Sequence, residues 1–525
     1  MIKEDIRPEA DELPGDFAER LGKKYAASVS ATHKKEAGQF FTPVAIARLM
    51  ASLVELPAQP EVRILDPGCG VAILACCAVE LFKNQGNPSR QVTIVAFETD
   101  TTVLPFTVQA LAYAKRWAAE FEVTVNYTVL NTDFLLDYGH LFNNQPQWFL
   151  PTTSVVPFDL IITNPPYFKL NKEDERVKVA ARIVDGQANI YALFLSLAAE
   201  LTAPGGQVVS ITPRSFAAGR YFRAFRHHFF RLLNLREVHL FTSRREAFER
   251  DSVLQETVIL STAREKFSAV VTVSESMGIR DIANRRIDQR PMAEVLNRTT
   301  KEWMLYLPSG AEEQNIIALF RQWPDTLASH GLRISTGPVV AFRTRDYLQE
   351  FPEESAGASA PLFWMHNVLP MQLVWPDPKP AKEQYMRVTS ETRAALRANK
   401  TCVLLRRFSS KDDKSRLVAA PYIAPGPFEA PVIGFENKLN YLYRPAGEMS
   451  AAEAFGLSAL LNSRLFDAYF RTFNGNTNVS ATELRAMPMP PLATIRYIGE
   501  QLQMHPVLNK EQLIHETLST NLEPA

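Results

Sequence analysis

The first half of the chain predicts an α/β fold built on a parallel sheet, and three observations carry that expectation. Short apolar runs alternate with stretches of helical length from about residue 36 to 265. Several of those runs end in an acidic or amide residue, and one opens through two glycines into a helix. Beyond residue 265 the alternation stops, and short strand-like runs mix with Pro370, Pro376, Pro378, Pro380, Pro421, Pro425 and Pro427. The expected organisation is an N-terminal arm over 1–35, an α/β domain over 36–265, a connector over 266–314 and a mixed α+β domain over 315–525.

Taken in order, the first 30 residues are polar, partly helical and expected to be loosely attached. Gly38-Gln39-Phe40-Phe41-Thr42-Pro43 then precedes an amphipathic helix with Leu49, Met50, Leu53 and Val54 inward. Thr42 is a natural N-cap and Pro43 fits the first helical position. The open N–H groups of such a helix suit a carboxylate. Strands follow at Glu61 to Leu65, Gln91 to Phe97 and Val123 to Leu130, separated by helices from Val71 to Phe82 and Leu104 to Glu120. A strand ending at Asn164, the apolar helix Ile190 to Leu201, the turn Pro204-Gly205-Gly206 and the strand Gln207 to Thr212 complete the rhythm.

Composition sets bounds on function. With 525 residues, 46% hydrophobic and 22% charged, the chain is an ordinary globular protein too long for one core. The 57 basic and 57 acidic residues leave no bulk basic field, so a polyanion must meet a local patch. Four cysteines form no C-x-x-C pair and have no histidine partners, so neither zinc nor a disulfide frame is indicated. The amino terminus has no apolar signal region, and no run of about 18 apolar residues is present to span a membrane. The expected home is the reducing cytoplasm of a prokaryote, with no metal and no membrane partner.

The most informative stretch is Phe158 to Phe168, a short apolar strand that stops at Asn164-Pro165-Pro166-Tyr167. The two prolines have fixed φ and no N–H, so the chain cannot continue a sheet ladder there. One amide oxygen, free backbone carbonyls and an aromatic face are left together. That set suits a planar base with an exocyclic amine, the oxygens accepting its N–H hydrogens while Tyr167 stacks on the ring.

The second site lies at neighbouring strand ends. Ile64-Leu65-Asp66-Pro67-Gly68-Cys69-Gly70 is the first turn of a nucleotide-binding unit, or else a plain strand-to-helix turn. A third glycine is missing, which favours a ligand without phosphates. Glu98 is placed for ribose hydroxyls, and Asp133, in Asn131-Thr132-Asp133-Phe134, for an adenine amine beside the Phe134 ring.

Assembled in this order, the motifs resemble those of the S-adenosylmethionine-dependent, amino-group DNA methyltransferases of the γ order, which carry N-P-P-Y. The likeness extends to type II restriction-modification adenine methyltransferases related to the Eco57I and PaeR7I systems. It implies a Rossmann-like methyltransferase sheet, a C-terminal target-recognition domain, S-adenosylmethionine as cofactor and double-stranded DNA as partner. A cognate restriction endonuclease would share the site without needing to bind this chain. By position, Phe41, Thr42 and Pro43 serve the methionine carboxylate, and Asp66, Gly68 and Gly70 the methionyl end. Glu98 takes the ribose, Asp133 and Phe134 the adenine, and Asn164 borders the cofactor. Asn164, Pro165, Pro166 and Tyr167 are then the catalytic set, methylating adenine N6 of a flipped-out base. Phe248, or Phe241, is the second stacking ring.

DNA contacts are expected from two basic stretches. Between Pro213 and Arg250 stand nine arginines, no lysine and three glutamates, with Arg214, Arg220 and Arg223 nearest the aromatic residues Phe216, Tyr221, Phe222 and Phe225. A solvated helical face is the alternative. Arg406, Arg407 and Lys411 form the second cluster, beside Ser409 and Ser410. N4-cytosine methylation, methylation of RNA or of protein glutamine, and a DNA-binding module without turnover remain as rival readings. No P-D-x-n-E-x-K nuclease constellation is evident.

Overall fold

The structure, a computed structural model, describes residues 6–520 apart from 31–40, 58, 85–89, 143–155, 172, 181–182, 184–188, 242–256, 300, 308–309, 354, 356, 378–381, 410–412, 427–429 and 475–477. It divides into two compact units, Met1–Leu307 and Pro308–Ala525.

In the first unit the described residues form a nine-stranded sheet: β1 (Glu61–Pro67), β2 (Arg90–Phe97), β3 (Val123–Leu130), β4 (Phe158–Thr163), β5 (Thr202–Pro213), β6 (Asn234–Phe241), β7 (Thr257–Ala263), β8 (Val270–Ser276) and β9 (Arg286–Pro291). The order is β3-β2-β1-β4-β5-β7-β6-β8-β9. The first five strands are parallel, and β7 lies antiparallel to both β5 and β6. Strand order therefore reverses between β1 and β4, which opens a crevice at their carboxyl ends. Pro67 pairs with Phe97, and Phe97 with Leu130, so the strand ends that carry Gly68, Glu98 and Asp133 stand level.

Alternate residues of the central strands feed two cores. Val62, Ile64, Val92, Ile94, Leu160 and Ile162 face one layer, made of α1 (Pro14–Ser28), α2 (Val44–Ser52), α3 (Ile73–Glu80) and α4 (Leu104–Ala119). Leu65, Phe97 and Ile161 face the other, where α5 (Phe134–Tyr138), α6 (Glu175–Val179), α7 (Ile190–Leu201) and α8 (Arg223–Leu232) pack. Burial on both faces explains why these strands read as continuous apolar runs.

Three expectations change. Residues 14–28 are not a loose arm: Phe17, Leu21 and Tyr25 are at most 1% exposed and lock α1 into the first core. Spacing of four puts the three on one face, which a mean polar composition conceals. The segment expected as a connector instead extends the sheet, with β8 parallel to β6 and β9 antiparallel to β8. Its Val271 and Val273 are both 1% exposed, the inward half of a period-2 pattern. Third, the helix after the glycine loop begins at Ile73 rather than Val71, because Ala72 is left-handed at φ 59°.

The second unit is mixed α+β. Arg333–Thr336, Leu439–Tyr443, Cys402–Arg406 and Ala419–Tyr422 form one antiparallel sheet, and Ser359–Phe363 and Val432–Phe435 centre a five-stranded one. Helices Ala451–Leu461 and Leu492–Met504 cross at two glycines. A Cβ on Gly456 would stand 1.9 Å from Ile495 O, and one on Gly499 1.9 Å from Ala452 O. Asn462 ends the first of these helices and clasps Ala419 through both its amide ends, while Ser463 caps the next helix by accepting from Phe466 N.

Candidate active site

The glycine loop is shaped by backbone bonds. Gly68 N and Cys69 N both donate to Phe97 O at 2.9 Å, turning the chain sharply at the end of β1. Gly70 has φ +54°, and a Cβ there would stand 3.0 Å from the Phe41 ring. Gly70 N donates to Glu98 Oε2 at 3.0 Å and Asp100 N to Glu98 Oε1 at 2.8 Å. Burial nevertheless pushes the Glu98 carboxyl above its usual range. Asp66 sits behind the loop, fully buried, with Oδ2 accepting from Ala75 N at 3.3 Å. Burial, with Glu98 nearby, pushes its pKa up to about 8. Its Oδ1 has no hydrogen-bond partner among the described residues.

Across the cleft, Asp133 caps α5, its Oδ1 accepting from Leu135 N at 2.9 Å and Leu136 N at 3.2 Å. Its Oδ2 stands 3.5 Å from the Arg176 guanidinium, which also clasps Asp174 at 2.6 Å. The Phe134 ring packs edge-on against Phe97 at 5.4 Å and lies 5.2 Å from Phe194. These rings make one apolar wall.

The third wall is the end of β4. Thr163 Oγ1 donates to Pro67 O at 2.9 Å and so fastens β4 to β1 where the two strand ends diverge. Asn164 Nδ2 donates to Thr42 Oγ1 at 3.0 Å, and the Tyr167 hydroxyl donates to Asn164 Oδ1. The same hydroxyl stands 2.9 Å from Ile211 O. Tyr191 meets the Tyr167 ring edge-on at 6.3 Å, and burial holds the Tyr167 phenol above its usual range.

One cleft is thus lined by Phe41, Thr42, Gly68, Gly70, Glu98, Asp133, Phe134, Asn164, Pro165, Pro166 and Tyr167. Asp66 and Pro43 stand outside its lining. Pro43 rather than Thr42 is the N-cap of α2, and Thr42 spends its hydroxyl on Asn164 instead. The open Val44 N–H already has a carboxylate, Glu19 Oε1 of α1 at 3.2 Å. Sequence reading missed three contributors. Tyr25 of α1 donates to Asp100 Oδ2 at 2.7 Å and meets the Phe41 ring edge-on at 5.5 Å; the four-residue spacing of Phe17, Leu21 and Tyr25 was its signal. Phe194 and Arg176 line the cleft without any local sequence signature.

The basic stretches are less free than their density suggests. Arg214 donates to Leu307 O at 2.5 Å, Arg223 stands 4.0 Å from Glu302, and Arg236 pairs with Glu55 and Glu265. Arg226 is fully buried and donates to the carbonyls of Phe216, Ala218 and Glu302. In the second unit Arg406 donates to Val368 O at 2.7 Å and Arg407 to Asn437 O at 2.9 Å, and burial lowers the pKa of both. Ser409 accepts from the buried Arg416 at 2.9 Å, so its hydroxyl is engaged inside the protein. Phe248, Ser410, Lys411 and the Arg220 side chain lie outside the described residues. Phe241 packs against His239 in the first core.

The family model of the Eco57I restriction-modification methylases matches residues 80–248. Type II methyltransferase M.PstI of Providencia stuartii is 31% identical over 91% of this chain and 91% of its own length. Type II methyltransferase M.BsuBI of Bacillus subtilis is 32% identical over 89% of this chain and 90% of its own. Among solved structures, the ATP-dependent type ISP restriction-modification enzyme LlaBIII bound to DNA is similar in fold, with a TM-score of 0.50 at 11% identity. That alignment covers 94% of this chain and 41% of LlaBIII.

Proposed function

This chain belongs to the type II restriction-modification DNA methyltransferases, and from that premise we propose that it methylates adenine N6 at a defined site in duplex DNA. S-adenosylmethionine is the methyl donor of such enzymes, and when bound it supplies an electrophilic methyl with a neutral thioether as leaving group. The cleft suits that molecule. Its acids Glu98 and Asp133, its ring wall and an Arg176 already held by two carboxylates favour an uncharged or cationic nucleoside over a phosphate. Glu98 would accept from ribose hydroxyls, and Asp133 Oδ2 from the adenine amine. Asp66, buried behind the glycine loop and bonded through Oδ2 to Ala75 N of α3, would act on the methionyl end only by fixing the position of that loop.

Catalysis would fall to the end of β4. The lone pair of adenine N6 is delocalised into the ring, and acceptance of its two N–H hydrogens by Asn164 Oδ1 and the Pro165 carbonyl would bias the nitrogen toward a usable lone pair. For this, the Tyr167 hydroxyl must release Asn164 Oδ1, and Ile211 O at 2.9 Å gives it another acceptor. The work is alignment by preorganised acceptors, and the surplus N6 proton passes to solvent as positive charge builds on the nitrogen. Flipping costs a few kcal/mol, offset by stacking on Tyr167 and a second ring. Cytoplasmic protection of DNA from a cognate endonuclease is the corresponding biological role.

The observation that carries this reading is Asn164, held at the rim of the cleft that also holds the glycine loop. Asparagine at this position favours adenine, whereas N4-cytosine enzymes usually carry serine there. The second unit favours DNA over RNA or protein glutamine. Nucleoside analysis and sequencing of DNA from cells with and without the gene test it directly. N6-methyladenine should appear at one motif and vanish with Asn164→Ala, whose turnover should fall at least about 100-fold while S-adenosylhomocysteine still binds. N4-methylcytosine, or turnover above about a tenth of the parent, would overturn it.

A further inference from the structure

Thr42 and Asn164 are 122 residues apart in sequence, yet Asn164 Nδ2 donates to Thr42 Oγ1 at 3.0 Å and both line one cleft. Thr42 is 4% exposed. The segment after it is fixed at Val44 N, which donates to Glu19 Oε1, and at Pro43 O, which accepts from Ala47 N at 3.0 Å. The hydroxyl therefore sits on a firm support.

A carboxamide has two ends of nearly equal shape, one that only accepts and one that only donates, and half a turn exchanges them. For a target amine the exchange is decisive, because only Oδ1 can receive its hydrogens. Tyr167 does not enforce the choice. Its hydroxyl lies between Asn164 and Ile211 O, so it can donate to Oδ1, or donate to Ile211 O and accept from Nδ2 instead. Thr42 can enforce it. A hydroxyl has one hydrogen; once that is committed to an acceptor in the cleft, only lone pairs face Asn164, and only Nδ2 can answer them.

We propose that Thr42 is a positioning residue for methyl transfer: its hydroxyl holds the Asn164 carboxamide with Nδ2 inward and Oδ1 toward the target amine. The inference rests on Asn164 being the acceptor for that amine. The cofactor's amino-acid carboxylate, which only accepts, is the group that would commit the Thr42 hydrogen. Cofactor occupancy and readiness of the target acceptor are then coupled through one hydroxyl.

The test uses the full chain with Thr42→Val, which keeps shape and removes the hydroxyl, and Thr42→Ser, which keeps the hydroxyl. At saturating S-adenosylmethionine, Thr42→Val should lose at least about tenfold in kcat on unmethylated DNA, and Thr42→Ser should recover most of it. A hydroxyl that served only cofactor binding would raise KM and leave kcat at the parent value, and that result overturns the proposal. A second readout needs neither turnover nor a substitution at Thr42. With asparagine labelled by ¹⁵N, the Asn164 side-chain N–H pair, identified by its loss in Asn164→Ala, should exchange slowly in the parent protein with S-adenosylhomocysteine bound. Exchange as fast as that of surface asparagines sinks the idea even if Thr42→Val does not fold. Full turnover by Asn164→Ala would instead indict the underlying catalytic reading.

Discussion

Asp66 illustrates at the residue scale how burial stores a pH dependence. Burial, reinforced by Glu98 close by and only weakly opposed by the Ala75 N donor at 3.3 Å, holds the proton on its carboxyl up to about pH 8. The unfolded chain releases that proton near the ordinary aspartate value of 3.8. A folded pKa above the unfolded one means this group's contribution to stability is full below 3.8 and is lost as pH rises toward about 8. Asp66→Asn removes the titration. In thermal melts of the cofactor-free protein, the Tm of Asp66→Asn minus that of the parent should be larger at about pH 8 than at about pH 5. An equal gap at both would show that Asp66 is ionised in the fold.

At the scale of elements, close approach decides more than propensity. Helices Ala451–Leu461 and Leu492–Met504 meet backbone to backbone because Gly456 and Gly499 each face a carbonyl oxygen that a Cβ would meet at 1.9 Å. Alanine at either position is favourable for an isolated helix by roughly 1 kcal/mol. Here the contact wins: Gly456→Ala or Gly499→Ala should each destabilise the protein by about 1–3 kcal/mol in denaturant unfolding. Unchanged stability would mean the helices separate without cost. The same logic explains α1, whose polar surface conceals the inward row of Phe17, Leu21 and Tyr25. Locked in place by that row, α1 stiffens Asp100 through Tyr25 and the start of α2 through Glu19.

Over the whole molecule, arginine counts overstate the free positive charge. Arg226 and Arg416 are buried structural donors, and Arg236 is held by two glutamates. Arg406 and Arg407 each spend a donor on a carbonyl, so their proposed DNA contacts share the side chain with a structural role. Arg406→Ala with Arg407→Ala should weaken DNA binding and flatten its dependence on salt if the remaining donors meet phosphates. Thermal melts separate the structural share. Wild-type affinity and salt slope, with a lowered Tm, would assign the pair to the fold alone. No helix among the described residues is long and apolar enough to cross a membrane.

Local chemistry made much of this protein legible from sequence alone. Short apolar strands bounded by turn residues marked β1 to β4, and glycines at a strand end marked a tight strand-to-helix turn, because backbone sterics act over a few residues. Gly68, Glu98 and Asn164 come together in one cleft because each follows the end of a parallel strand, where that topology leaves side chains open. What only tertiary structure decided depends on contacts between distant segments. Thr42 became an acceptor for Asn164 instead of a helix cap, Arg176 came to face Asp133, and β8 and β9 joined the sheet. A hydroxyl or guanidinium has several possible partners, and its own sequence neighbours do not choose among them; the fold chooses by bringing one within 3 to 4 Å and burying it with the rest excluded.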